Sequence, residues 1–406
     1  MPREVGVGNS RIFVRPRLAD GTVRFLAPTV VAPPRDALGA GNTADRLLFR
    51  AFVRARSRFQ QLPPPTGSPP YRLSLESVLS SGDMQSIHDS GKLVFHTVGD
   101  TGGINRDQFQ RAVIRRMEDD CDRPHLADRP AFFYHLGDVV YFKGESNHYF
   151  EQFYDAYEHY PAPIFAIPGN HDGEYNADLP SLDAFVRNFC ATAPGHSIDA
   201  QNVVRDTMTQ PNVYFTLQTP LATIIGLYSN VPEGGVIQDD QLQWFKNELS
   251  AAPTDRALFV ALHHPLFSAD DHHSGSPDML AKMQDAIQAS GRVPDAVLTG
   301  HVHNYQRFTW DIDGRQIPVI VAGGGGYPNL HKVERINGHR IVPPFRSDDS
   351  DATLEAYTDN RHGFLRLEVT AQRIAGEFYA LPWNEEDRVD RTDRFVVDLA
   401  THRLLE

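Results

Sequence analysis

Cysteine is nearly absent from this chain. Its 406 residues include two, Cys121 and Cys190, with no Cys-x-x-Cys pair. That excludes a disulfide framework and a zinc ribbon, and both cysteines read as buried free thiols. Long apolar runs are missing as well. No stretch approaches the ~20 apolar residues of a membrane span. Arg3, Arg11, Arg15, Arg17 and Arg24 interrupt the N-terminus, so it does not read as a secretory leader. The expectation is a chain with no membrane span and a cytoplasmic location, with secretion by a non-classical route as the alternative. Positive charge is scarce: the net charge is −13 and the pI about 5.7. Binding along a phosphate backbone needs a basic surface, so no nucleic-acid partner is expected. There is no Gly-x-Ser-x-Gly elbow, no His-Glu-x-x-His helix and no Walker loop. Serine-hydrolase, zincin and P-loop chemistry therefore lack local support.

Residues 1–90 differ from the rest. They hold 12 arginines, no lysine and 7 acids, a charge of +5, which leaves −18 for the remainder. Pro33-Pro34, Pro63 to Pro65 and Pro69-Pro70 punctuate them. Between the proline clusters the spacing predicts an amphipathic helix near 42–61. Leu48, Phe52, Ala55 and Phe59 line one face, and Arg46, Arg50, Arg54 and Arg58 another. The narrow stripe favours docking on the acidic body over a membrane surface. This segment reads as an N-terminal extension, and 91–406 as the main domain.

From Lys92 onward, short apolar runs alternate with helical patterns. The strand candidates are 93–98, 131–136, 164–167, 257–262 and 296–298. Helices are expected at 106–121, 147–159, 181–189, 239–251 and 277–289. Antiparallel pairs are expected at 213–216 with 223–227, 305–311 with 316–321, and 364–370 with 373–379. Asp313-Gly314 gives the middle pair a hairpin turn. The pattern predicts an α/β fold of two mixed sheets flanked by helices. The polar stretch 327–362 reads as a long inserted loop.

Five strand candidates each end in a polar cluster. They are Gly99-Asp100-Thr101-Gly102, Gly137-Asp138-Val139-Val140-Tyr141, Gly169-Asn170-His171-Asp172, His263-His264 and Gly300-His301-Val302-His303. In open α/β sheets the carboxyl ends of strands gather at one edge, where ligands bind. Carboxylate, imidazole, phenolate and amide oxygen are donors for borderline-to-hard metals. A lone Gly-Asp after a strand is usually a turn. Five such clusters, each at a strand end, point to a metal site assembled from distant segments.

These blocks resemble the calcineurin-like metallophosphoesterase superfamily, and within it the purple acid phosphatases. The five family blocks match in order, Val260 to His263 supplying the fourth. The resemblance implies a four-layer α/β/β/α sandwich and a dinuclear centre that hydrolyses a small-molecule phosphate ester. An acid-type phosphomonoesterase is the implied activity. A phosphodiesterase of the same superfamily and an inactive scaffold of the same fold are the alternatives. By resemblance, Asp100, Asp138, Tyr141 and His303 hold one metal; Asp138, Asn170, His263 and His301 hold the other. Gly102 stands where most of the superfamily has a metal-binding histidine, and Tyr141 supplies the missing ligand. That implies Fe(III) at the Tyr141 site, with Zn(II), Fe(II) or Mn(II) at the Asn170 site. His171 is the implied acid or oxyanion contact, oriented by Asp172. His272 or His273 is a second substrate histidine. His264 reads as structural, pointing away from the ligand His263.

Overall fold

Leu93, Phe95, Val98, Phe132, Phe133, Phe165, Leu258 and Phe259 are all buried, because their strands are covered on both faces. The computed structural model describes residues 58–103, 107–174, 180–347, 350–381 and 390–405. Two large sheets carry the architecture. The seven-stranded one runs Arg403–Leu405, Asp390–Asp398, Arg373–Ala380, Gly363–Thr370, Lys92–Val98, Phe132–His135, Ile164–Ala166. The nine-stranded one runs Arg72–Ser74, Phe215–Gln218, Ala222–Gly226, Ala257–Leu262, Ala296–Thr299, Arg315–Ala322, Tyr305–Ile312, Ala352–Thr358, Phe345–Arg346.

Each sheet has a parallel heart. Lys92–Val98 lies parallel to Phe132–His135, and that strand to Ile164–Ala166. In the other sheet Ala222–Gly226, Ala257–Leu262, Ala296–Thr299 and Arg315–Ala322 are parallel neighbours. Apolar side chains from both sheets fill the space between them. Phe95 stacks on Phe132 at 4.9 Å and meets Phe259 of the facing sheet edge-on at 5.7 Å. A fully buried ring of this kind contributes about 1.5–3 kcal/mol. Helices Asp239–Ala251 and Pro277–Ser290 cover the outer face of the nine-stranded sheet with Phe245, Leu249, Met279 and Met283. Helix Gln108–Cys121 covers the other outer face with Val113, Ile114 and Met117. The layering is the expected α/β/β/α. Both cysteines are buried and free.

One expectation falls on residues outside those described, and three need correction. The expected helix near 42–61 falls largely outside the described residues, and residues 58–61 are not helical. The boundary at 91 is too late. Arg72–Ser74 pairs with Phe215–Gln218, and Leu73, Leu75, Met84 and Ile87 join the core between the sheets. The segment 147–159 is not an α-helix: Ser146–His148 is a 3-10 turn and Phe150–Tyr154 a π-turn closed by Asp155 N–H to Phe150 O at 2.8 Å. Finally, 327–362 is not one loop. It holds the small hairpin Arg335–Ile336 with His339–Arg340, and Ala352–Thr358 pairs with Tyr305–Ile312. Among the described residues no helix is long and apolar enough to cross a membrane.

A buried ion pair ties helix Gln108–Cys121 to the sheet beneath it. Asp120 accepts from Arg366 Nε at 3.0 Å and from His96 Nε2 at 3.0 Å. Burial holds the His96 imidazole below its ordinary value, so the ring is neutral and the charge partner is Arg366. Burial alone would raise the Asp120 carboxyl, but the bonds from His96, Arg366 and Arg123 outweigh it and hold it at about 2. A depressed carboxyl stabilises the fold above its unfolded pKa of about 3.9, and that contribution disappears as pH falls through about 2. Asp120→Asn should therefore cost about 2 kcal/mol at pH 7. It should also flatten the loss of stability between about pH 4 and about pH 2. Urea unfolding across that range measures both; an unchanged acid limb would refute the assignment.

Candidate metal centre

The carboxyl ends of both parallel sets meet at one edge, where a backbone bond joins the two sheets and others hold the turns within each sheet. Gly99 N–H donates to Ala322 O at 2.8 Å, Asp100 N–H to Gly137 O at 3.0 Å and Gly300 N–H to His263 O at 3.0 Å. Asp100, Asp138 and Asn170 follow strands of the seven-stranded sheet, and His263, His301 and His303 follow strands of the other. The turns are sharp. Asp100, Asp138 and His301 sit in left-handed backbone at φ 58°, 54° and 68°. Outside glycine such a conformation costs about 1–2 kcal/mol per residue, and it persists where the surroundings over-determine it.

All seven expected ligands are brought together, in two groups. In one, the Tyr141 hydroxyl lies 3.3 Å from Asp100 Oδ1 and 3.3 Å from His303 Nε2, and His303 Nε2 is 3.5 Å from Asp100 Oδ1. In the other, Asn170 Oδ1 lies 3.1 Å from His263 Nε2 and 3.0 Å from His301 Nδ1. Asp138 Oδ1 is 3.4 Å from His263 Nε2. Asp100, Asp138 and His263 offer ligand atoms within 4.8 Å of one another. Asp100, Asp138 and His263 are almost fully buried.

The imidazole tautomers are fixed from behind. His263 Nδ1 bonds Leu136 O at 2.8 Å, His303 Nδ1 bonds Asn329 O at 2.9 Å, and His301 Nε2 bonds Glu233 Oε1 at 3.2 Å. Each outer nitrogen therefore carries the N–H. In neutral rings the inner nitrogens of His263 and His301 then face Asn170 Oδ1 lone pair to lone pair, while that of His303 faces the Tyr141 hydroxyl and Asp100. Such an arrangement is repulsive until a cation or an extra proton enters it. The electrostatics agree. Burial opposes charge on His263, yet Asp138 and Asp100 overcome it and hold the imidazole at about 9. Burial, with Asp138 and Asp100 beside it, keeps the Tyr141 phenol well above its ordinary value. The donor set fits metal ions.

Tyr141 is placed by two neighbours. The Gln152 amide clasps its backbone, accepting from Tyr141 N–H at 2.9 Å and donating to Tyr141 O at 2.8 Å. Gly102 makes room for the ring: a Cβ there would lie 2.4 Å from Tyr141 Cδ2. Glycine at 102 and tyrosine at 141 are one spatial exchange. The run Gly323 to Gly326 packs backbone against the first block, with Gly325 N–H donating to Gly99 O at 3.1 Å.

The other expected site residues divide. His171 borders the site, with its N–H on Asp138 Oδ1 at 2.9 Å and its ring 4.5 Å from that of Tyr141. Its Nδ1 bonds Phe142 O at 2.8 Å and lies 3.2 Å from Glu174. Asp172 does not orient it. That carboxylate accepts from Gly169, Val139 and Val140 N–H at 2.8–3.0 Å and so holds the turns that carry Asn170 and Asp138. His272 is turned outward, bonded to Asp271 and stacked on His331. His273 takes the inner position, buried with its ring 4.4 Å from His301. Asp270 decides between them, because its Oδ2 accepts both N–H groups and fixes the turn. His264 does not face away. Its Nδ1 bonds Ser229 at 2.7 Å while its ring packs 4.4 Å from His301. Sequence reasoning missed Glu233, Gln152, Tyr327, His331 and the Asn329 carbonyl. None lies in a motif, and a backbone carbonyl leaves no signal in residue types.

Comparison with known proteins bears on this arrangement. A family model described as calcineurin-like phosphoesterase matches residues 88–305, more than half of the chain. The chain is similar to purple acid phosphatase 18 of Arabidopsis thaliana, 32% identical over 124 residues, 28% of this chain and 27% of that protein. It is also similar to purple acid phosphatase 22 of the same plant, 26% identical over 174 residues, 40% and 36% of the two chains. The chain thus spans between 27% and 36% of the length of these relatives. Among solved structures, PhoD superposes with a TM-score of 0.50 at 14% identity, over 85% of this chain and 73% of that one. GAP50, the anchor in the inner membrane complex of Plasmodium, gives 0.50 at 16%, over 74% and 89%. These two likenesses establish the fold alone. The family match extends from helix Ser81–Ser90 to the strand after the last ligand block, and on it the chain belongs to the calcineurin-like phosphoesterase family.

Proposed function

We propose that the chain hydrolyses small-molecule phosphate esters at a dinuclear centre, with phosphomonoesters as the preferred class. In this reading Asp100, Asp138, Tyr141 and His303 hold one cation. Asp138, Asn170, His263 and His301 hold the other, and Asp138 is shared. A phenolate is a hard anionic donor, so the Tyr141 position suits Fe(III). The amide and imidazole position suits Zn(II), Fe(II) or Mn(II). One observation carries the reading: two donor clusters in which inner imidazole nitrogens lie 3.0–3.5 Å from carboxylate and amide oxygens. Bound there, the cations supply an acidified water as nucleophile and positive charge against the phosphoryl oxygens.

The protein's own side chains do the rest. His171 is the proposed donor to the leaving alkoxide. Its Nδ1–H is committed to Phe142 O, so it delivers a proton only as imidazolium, with Glu174 as counter-charge. His273 is the proposed second phosphate contact, in place of His272. Asp172 acts through the backbone, keeping Asp138 and Asn170 at their spacing.

The direct test is metal content together with turnover of p-nitrophenyl phosphate and its bis-ester. Two tightly bound metals, chelator-sensitive turnover and faster monoester cleavage are expected. A metal-free, inert protein would sink the reading and leave a binding scaffold of the same fold. Loss of a residue behind a metal ligand typically costs about 10–100-fold, so Asp138→Asn, at the shared ligand, should lower kcat by more than about 100-fold.

Tyr141 allows a spectroscopic test. The iron-loaded protein should absorb visible light, and Tyr141→Phe should abolish the band. Gly102→Ala should shift or remove it as well, since the new Cβ would overlap the ring, at a stability cost of about 1–3 kcal/mol. A stoichiometrically iron-loaded but colourless protein would refute the tyrosinate.

A further inference from the structure

Glu233 lies between strand Ala222–Gly226 and helix Asp239–Ala251, in a loop without a recognisable motif. Its carboxylate oxygen Oε1 faces two imidazoles at once. His273 Nδ1 is 2.8 Å away and His301 Nε2 is 3.2 Å away. The two rings lie 4.4 Å apart. A carboxylate only accepts, so both hydrogens come from the imidazoles. That leaves His301 with its Nδ1 lone pair toward Asn170, and His273 with Nε2 as its remaining nitrogen.

The loop is built to hold that carboxylate still. Gln241 clasps the Tyr228 backbone at 2.9 Å on both its N–H and its carbonyl. Asn230 clasps the Gln60 backbone in the same way, at 2.8 and 2.9 Å. Val236 N–H closes back on Ser229 O at 2.8 Å, and the Ser276 hydroxyl donates to Gly234 O. Four anchors, two of them from the distant Gln60 and Ser276, thus fix the nine residues 228–236 around Glu233. A surface loop with no task would not need them.

We propose that Glu233 is a positioning residue: through His301 it holds the second cation, and through His273 it sets the imidazole that meets the phosphate. The inference rests on the dinuclear reading above. Glu233 acts on one cation and not the other, because His303 is oriented separately by Asn329 O and Tyr141 by Gln152. A carboxylate behind a metal-binding imidazole fixes its tautomer and strengthens it as a donor. Losing it typically weakens metal binding by about 10–100-fold.

The experiment compares the full chain with Glu233→Gln and Glu233→Ala. Metal stoichiometry, zinc affinity by chelator competition, thermal melting, and kcat and KM for p-nitrophenyl phosphate are measured. Wild type should bind two metals. Glu233→Ala should keep one at wild-type affinity and bind the second about 10–100-fold more weakly. Glu233→Gln, which keeps one acceptor oxygen, should fall between. At saturating metal kcat should recover while KM stays raised, because His273 has lost its anchor. A merely structural role would instead lower melting and weaken both metals together. Two metals at unchanged affinity in both variants would overturn the inference. So would three metals in wild type falling to two, which would make Glu233, His273 and His301 ligands themselves. Fewer than two metals in wild type would overturn the dinuclear reading, and this inference with it.

Discussion

Where strands from two sheets end together, carboxylates, imidazole nitrogens and an amide oxygen crowd within hydrogen-bond distance of one another. Asn170 Oδ1 has two imidazole nitrogens about 3 Å away, and the outer nitrogens of those rings are already committed as donors. Solvent screens their charges little, because Asp100, Asp138 and His263 are almost fully buried. The folded chain carries a demand for positive charge. The rest of the architecture can be understood as what keeps that demand from being relaxed by local movement. Cross-sheet bonds such as His301 N–H to Asp100 Oδ2 at 2.8 Å tie the backbone of one sheet's turn to a carboxylate of the other's.

The same constraint explains the strained turns. Left-handed backbone at Asp100, Asp138 and His301 costs free energy that a relaxed loop would recover. Each turn is held by a group outside it: Gly137 O receives Asp100 N–H, and Asp172 receives the N–H groups of Val139 and Val140. Function is thus written in two layers. The inner layer is donor atoms. The outer layer consists of acceptors — Leu136 O, Asn329 O and Glu233 — that decide which nitrogen of each ring looks inward.

That division also explains what could be read in the sequence. Asp100, Asp138, Tyr141, Asn170, His263, His301 and His303 were legible because each lies in a contiguous block at a strand end, and apolar runs such as Ala257–Leu262 announce those strands. Outer-layer groups reach the site from loops by tertiary contact, so no periodicity marks Glu233 or Gln152. Spacing could not choose between His272 and His273, since adjacent residues differ only in which way a turn faces; the Asp270 carboxylate makes that choice. The strand Ala352–Thr358 was hidden in a polar stretch because it is half-buried along much of its length. The π-turn at Phe150–Tyr154 has the same aromatic spacing as an α-helix, and its distinguishing i to i+5 bond leaves no mark in residue types.

The pairing of Lys92–Val98 has a consequence for how the molecule comes into being. This strand presents Asp100. One of its edges is paired with Phe132–His135, which follows closely in the chain, but the other is paired with Gly363–Thr370, Arg366 lying opposite His96. During synthesis the seven-stranded sheet stays open on that edge until residues 363–370 have left the ribosome. Closing so long a loop carries an entropic cost before any contact repays it, and folds of this kind form slowly. Asp100 is made more than 260 residues before Gly363–Thr370, so the strand that presents it waits for its second neighbour. Ordering of the cluster around Asp100 is therefore coupled to the arrival of Gly363–Thr370, and a polypeptide cut short before residue 363 would expose an unpaired strand edge beside acids and histidines.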